Sequence, residues 1–424
     1  MKSIIVGRVL QGLGGGGIDV LVSIILADMT MLDERSKYLG LMAIPSAIGN
    51  IMGPFVGAFF STYLSWRWVG WINLPLLVLG GCLVVFFLKL RTVPPGTTLS
   101  ENVTRLDWTG MLLLIAGITA LCVPISWADS LFSWASWQTL LPLILGIALL
   151  GFFSWYESKP SAPVIPHRLF QTKTGNAALI GGFIHGMILI PLLQYLPLFY
   201  QAVQLLPAIS SAVVLLPTVI LSSFLTAGAM ILVPVLGGYV WLIRAGWCIA
   251  ILGTGLLVLF DIHSSPALLY GLPILWGQGV SVLRILMLPI QASVKRVDDE
   301  GLATANFLTI RMFGALLGLA ACTPIFTNVF SKSMFEAAIK LDGPLVSLKN
   351  ADNAVSFIGD LRTVDVESDV LDQILRVYLE SFKAIFYAMI ALSVLGLVSS
   401  LFLDEIELKR KDRGAQSFED DLAI

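Results

Sequence analysis

The chain has 424 residues, of which 57% are hydrophobic and 13% charged, with a net charge of −2 and a mean hydropathy of +0.87. Soluble domains carry about 25% charged residues, so this composition excludes a water-soluble core and points to helices whose outer faces meet lipid. Scattered basic residues exclude a nucleic-acid groove, and Cys82, Cys122, Cys248 and Cys322, all inside apolar runs, fit buried small hydrophobes rather than a disulfide framework or a metal site.

A spanning helix needs roughly 20 apolar residues. Eleven such segments follow one another, at about 4–27, 38–63, 69–90, 109–127, 138–156, 177–200, 208–231, 237–260, 267–290, 303–328 and 382–403. Between Lys173 and Arg244 no charged residue occurs, so the turns there are placed from Pro207, Pro234 and Gly237-Gly238. Loop charges set the orientation. Arg35, Lys37, Lys89, Arg91, Arg105, Lys159, Arg168, Lys173, Arg244, Lys295, Arg296 and the tail Lys409, Arg410, Lys411 and Arg413 fall on one side, which is predicted to be cytoplasmic. Asn102-Val103-Thr104, a glycosylation pattern, then lies inside and stays unmodified. The outer segment 330–380 is predicted to be partly helical and to lie on the membrane surface, through Val370, Leu371, Ile374, Leu375 and Tyr378. The tail from Leu403 to Ile424 is predicted to be cytoplasmic and mobile. Trp66, Trp68, Trp71, Trp134 and Trp137 flank outer span ends as an interfacial belt. An odd span count with an inside tail puts Met1 outside, which suggests that an odd number of spans is missing before it.

The first span reads GRVLQGLGGGG from Gly7, followed by Asp28 and DERSKYLG from Asp33. The second holds AIGNIMGPFVGA from Ala47 and ends in SWRW, and the third opens with WINLP. LPLFYQAV from Leu196 and ATANFLTIRMFGALLG from Ala303 come later. Together these resemble the major facilitator superfamily, and within it the fourteen-span drug:proton antiporters common in fungi. The R-x-x-Q-G motif of that family's fourth span matches Arg8, Gln11 and Gly12, and the G-x-x-x-G-P-x-x-G motif of its fifth span matches Gly49, Gly53, Pro54 and Gly57. The resemblance implies an all-α, polytopic major facilitator fold of about 11 transmembrane helices, with the first three of fourteen absent. It divides the chain into residues 1–90, the remaining three spans of the N-terminal bundle; 91–173, two linker spans; 174–403, a six-span C-terminal bundle; and 404–424, a cytoplasmic tail. The implied function is secondary active export of a hydrophobic drug, toxin or secondary metabolite by proton antiport, in a plasma or vacuolar membrane. The implied partners are the substrate, protons and the bilayer, with a monomeric chain and no cofactor. A truncated, non-transporting membrane protein is the alternative. The turn ILVPVLGGYVWL lacks the basic residues usual in the family.

The residues carry physical readings of their own. Gly12/Gly16, Gly49/Gly53 and Gly53/Gly57 are small-xxx-small pairs, which let helix backbones approach closely in lipid. Pro54 removes a backbone hydrogen bond and bends the second span. The string Gly12-Leu13-Gly14-Gly15-Gly16-Gly17 satisfies G-x-G-x-x-G but lacks the preceding strand of a dinucleotide site. With no paired carboxylates or nucleophile motif in the spans, an enzyme is not expected and no catalytic or metal-ligating residue is assigned.

Charges in mid-span are costly and mark function. Arg8 and Asp19, three helical turns apart, and the titratable His185 are candidates for proton coupling. Arg284 and Arg311, with Gln194, Gln201 and Gln278, are candidates for the substrate cavity, and an Asp19–Arg284 pair is an open alternative to substrate contact.

Overall fold

A computed structural model of the chain describes residues 2–30, 32–88, 103–104, 106–160, 162–294, 299–337, 339, 341–364 and 366–408. Asn102, the loop cations Lys89, Arg91, Arg105, Lys295 and Arg296, and the tail from residue 409 onward lie outside them.

Among the described residues eleven helical stretches are long and apolar enough to cross a membrane, matching the eleven predicted segments. They comprise α1 (Lys2–Met29), α2 (Leu32–Tyr63), α3 (Asn73–Phe87), α4 (Trp108–Trp127), α5 (Trp137–Tyr156), α6 (Lys173–Ala202), α7 (Ala208–Leu236), α8 (Val240–Leu257), α9 (Pro266–Val282) continued by α10 (Met287–Ser293), α11 (Glu300–Glu336) and α12 (Ser368–Ser400). Prolines sit inside many of them, including Pro54 in α2 and Pro191 in α6, because neighbouring helices and side chains re-satisfy the freed carbonyls in lipid.

The core lies in the bundle of α6 to α12. There α6 packs on α11 and α12, α8 on α9 and α12, and α7 on α9. Tyr195, Phe199, Phe326, Phe330, Tyr378 and Phe382 form a chain of ring contacts along its axis. Helices α4 and α5 pair with each other and α4 rests on α11; α1 also rests on α11, and α2 lies along α7. Helix α3 buries no residue.

Glycine makes the close crossings. A Cβ at Gly186 of α6 would collide with the Arg311 carbonyl, and one at Gly314 of α11 with the Phe183 carbonyl. Gly253 and Gly279 do the same for α8 against α9. The glycines expected to pack, Gly12, Gly16, Gly49, Gly53 and Gly57, meet nothing: a Cβ at any of them finds no atom within 4 Å. The faces of α1 and α2 that carry them are not the faces laid on α11 and α7. The cysteines also differ from the expectation, since Cys82 and Cys248 are exposed; lipid is as apolar as the core, so a cysteine gains little by burial.

Two loops depart from the sequence reading. Val370 to Leu379 is helical as expected, but it forms the first turns of the 33-residue α12 rather than a separate surface helix. The residues before it fold onto the bundle end, where Leu345, Leu348, Phe357, Ile358 and Leu361 are buried and Tyr378 donates to Ala354 O at 2.6 Å. The start of the tail is docked, not loose. Glu405 accepts from Tyr239 N at 2.8 Å and Val240 N at 3.0 Å, and Ile406 N donates to the Tyr239 hydroxyl at 3.1 Å. Burial holds that hydroxyl's pKa up at about 12, so it stays a neutral acceptor.

At the junction of α4 and α5 two carboxyls meet over Gly110. Asp107 accepts from Gly110 N at 2.8 Å, and Glu157, 3% exposed, accepts from Ile165 N at 2.5 Å. Burial pushes the Glu157 carboxyl above its ordinary range, and Asp107 pushes it further, against the pull of the Ile165 hydrogen bond. Folding therefore favours the protonated form, and this contribution is lost as pH rises through the raised pKa. In a pH series of thermal unfolding in detergent, wild type should lose stability relative to Glu157→Gln as pH rises. Parallel curves would show that the carboxyl is not shifted.

Candidate functional site

Five helices enclose a cavity of about 430 Å³ between α2 and the C-terminal bundle, within the range of small-molecule pockets. Its α2 wall is Ser46, Gly49, Asn50, Gly53 and Pro54, bare backbone at the two glycines and short side chains elsewhere. Helix α6 contributes His185, Leu189 and Leu193; α7 contributes Leu215, Thr218 and Ser222; α11 contributes Arg311, Met312 and Ala315. Trp276 and Val280 come from α9. That span is interrupted by a 3-10 turn, Leu283–Leu286, before it resumes as α10, and the turn carries Arg284 into the cavity wall. Discontinuous spans of this kind are where transporters commonly place substrate and ion sites.

The wall is cationic. Arg284 and Arg311 both line it, and no Asp or Glu does among the described residues. Asp19 of α1 acts electrostatically on both guanidiniums, but no salt bridge joins it to either among the described residues. His185 is 1% exposed and its Nε2–H donates to Val280 O at 3.1 Å. Four polar atoms on the wall, His185 Nδ1, Thr218 Oγ1, Trp276 Nε1 and Arg311 Nε, are buried without a hydrogen-bond partner. Such atoms are uncommon in folded proteins and call for an explanation.

The structure thus brings together His185, Arg284, Arg311, Gly49, Gly53 and Pro54, with Asp19 nearby. Arg8 stands apart: it donates to Gln11 Oε1 at 2.9 Å on the exposed face of α1, about 16 Å along the helix from Asp19 at 1.5 Å per residue. The three glutamines do not line the cavity. Gln194 is on the exposed face of α6, and Gln201 donates back to Pro197 O at 3.3 Å. Gln278 faces α7, and with its amide oriented to suit the backbone there its nitrogen donates to Leu221 O at 3.2 Å and its oxygen accepts from Ser222 N at 3.1 Å. The residues missed by sequence reasoning are Asn50, Thr218 and Trp276. Their only signal was polarity inside an otherwise apolar span.

Eleven spans among the described residues, five of them enclosing a cavity between α2 and the C-terminal bundle, define a multi-pass membrane protein of the transporter class. The profile of the Major Facilitator Superfamily matches residues 2–319, and the chain belongs to that family of membrane transporters of small molecules. Over 420 residues it is 62% identical to MFS-type transporter sphD of Aspergillus fumigatus, covering 99% of this chain and 72% of that protein. It is 33% identical over 411 residues to Efflux pump FUS6 of Gibberella fujikuroi, covering 95% and 73%. It is 33% identical over 408 residues to MFS transporter L2 of a Phoma species, covering 96% and 67%.

Proposed function

We propose that the chain is a proton-coupled exporter that carries hydrophobic small molecules, drugs or secondary metabolites, out through the cavity between α2 and the C-terminal bundle, acting as a monomer in the plasma membrane. The observation that carries this is the cavity itself: apolar side chains of Leu189, Leu193, Leu215 and Met312 beside two half-buried arginines, Arg284 and Arg311. The names efflux pump and transporter among its relatives support the outward direction. Asp19 is the acid within electrostatic range of both cavity arginines, which makes it the proton carrier in this mechanism. Protonation would remove the counter-charge from Arg284 and Arg311 and so couple the proton to the state of the cavity. Arg8 cannot release its own proton. It acts from the exposed face of α1, where its bond to Gln11 stays within the helix, by biasing the pKa of an acid that comes to face it.

Inside-out vesicles loaded by an imposed pH gradient test this with Nile red as the hydrophobic probe. Uptake should follow the gradient and collapse with a proton ionophore; uptake indifferent to the ionophore sinks the antiport mechanism. Arg8→Ala should abolish gradient-driven uptake at equal protein level, with partial recovery in Arg8→Lys, which keeps the charge but loses the planar fork. Wild-type rates from Arg8→Ala would leave Arg8 with no coupling role.

A further inference from the structure

Two guanidiniums on one small cavity wall constitute an unbalanced charge. Neither Arg284 nor Arg311 has a hydrogen-bonded or ion-paired acceptor among the described residues. A half-buried positive pair facing one carboxylate, and that one out of contact, leaves an attraction that an anion in the cavity would satisfy. Two of the four unpartnered wall atoms have the same bias, whereas His185 Nδ1 is an acceptor and Thr218 Oγ1 can donate or accept. Arg311 Nε and Trp276 Nε1 are donors only, and both are buried on the wall with nothing to donate to. The lining also offers hydrocarbon from Leu189, Leu193, Leu215 and Met312, beside neutral polar groups such as Asn50, Thr218 and Ser222.

We propose that the cavity binds its substrate through a carboxylate, held by Arg284 and Arg311, with an aliphatic or aromatic body lying against the leucine wall. The cavity should therefore favour amphiphilic organic acids over neutral or cationic hydrophobes, which it would hold by their apolar bodies alone. Arginine suits this role because its planar fork matches a carboxylate in two parallel hydrogen bonds. The 3-10 turn at Leu283–Leu286 interrupts the span where Arg284 must face the cavity. Asp19 then acts as a competitor: it offers the arginines a negative charge when no substrate is bound, and the substrate displaces its influence. This deepens the transport reading above, but binding can be measured without transport, so the two fail separately.

The probe is 11-bromoundecanoate, whose bromine quenches tryptophan fluorescence, compared with its methyl ester, against the full chain in phosphatidylcholine nanodiscs. Trp276 reports from the cavity wall, and subtraction of a Trp276→Phe variant isolates its signal. The acid should bind at least about ten-fold more tightly than the ester, as one charge-assisted bidentate contact supplies. Arg284→Gln and Arg311→Gln should each bring acid and ester together by weakening the acid alone. Asp19→Asn should tighten the acid further, and because Asp19 is exposed this variant keeps the test open if the arginine variants misfold. Equal affinity for acid and ester in wild type overturns the proposal, as does unchanged or weaker acid binding in Asp19→Asn. Inorganic phosphate competing as strongly as the bromoacid would show a site for bare anions, and would overturn the amphiphile assignment.

Discussion

Gly186→Ala should lower the stability of the C-terminal bundle by about 1–3 kcal/mol, while Gly57→Ala should cost nothing and gain at most the roughly 0.5–1 kcal/mol of helix propensity. The same methyl group is added to a helix in both cases, so helix propensity cancels in the comparison. At Gly186 the new Cβ falls on the Arg311 carbonyl, with Ala315 N at 3.0 Å. Both are backbone atoms that no rotamer change can move. Across the crossing, Gly314 and Gly318 meet the carbonyls of Phe183 and Met187 in the same way, so α6 and α11 must separate along several turns. At Gly57 the Cβ finds no atom within 4 Å. The measurement is the midpoint of thermal aggregation in detergent for the two purified variants. Equal midpoints would mean that the α6–α11 crossing is looser than the structure shows.

Glu405→Ala should free the segment after α12 and fray the start of α8. The side chain spans the turn between α7 and α8, each carboxylate oxygen taking one backbone N–H, from Tyr239 and Val240. Hydrogen bonds to a charged group are worth roughly 1.5–3 kcal/mol each, and a carboxylate at a helix N-terminus gains further from the helix dipole. The turn is shaped to receive it. Gly237 has φ +68° and closes α7, and Gly238 leaves open the place where a Cβ would press on the Glu405 carboxylate at 3.2 Å. Local release limits the loss, since the segment can detach without unfolding the bundle. Amide exchange at Tyr239, Val240 and Ile406 should accelerate at least ten-fold in the variant. Exchange as slow as in wild type would show that the carboxylate is not what fixes this turn.

Much of this architecture was legible from spacing alone. In a membrane, composition and helix length nearly dictate the spans, and even the charge-free stretch between Lys173 and Arg244 is divided at Pro207 and the Gly237-Gly238 pair, although Pro234, also expected to mark a turn, lies inside α7. Partners were harder to read. A glycine pair looks the same whether it meets a backbone, as at Gly314 and Gly318, or open space, as at Gly12 and Gly16. Arg284 and Arg311 were marked by their charge and do reach the cavity, whereas Gln278 carried an equally polar side chain and is satisfied by the α7 backbone. Which polar group faces a cavity depends on helix rotation, and rotation is set by neighbours distant in sequence. Glu405 went unnoticed for a related reason: a lone acid after the last span has no pattern to announce a partner 165 residues earlier.

The two glycines in the α2 wall give the pocket an unusual kind of adjustability. Gly49 and Gly53 border the cavity, yet a side chain at either would strike no atom within 4 Å. A methyl or a hydroxymethyl placed there changes the room and polarity offered to a ligand while leaving every helix crossing as it was. Selection can therefore reshape what the pocket admits in single-nucleotide steps, at positions where folding stability exerts no veto.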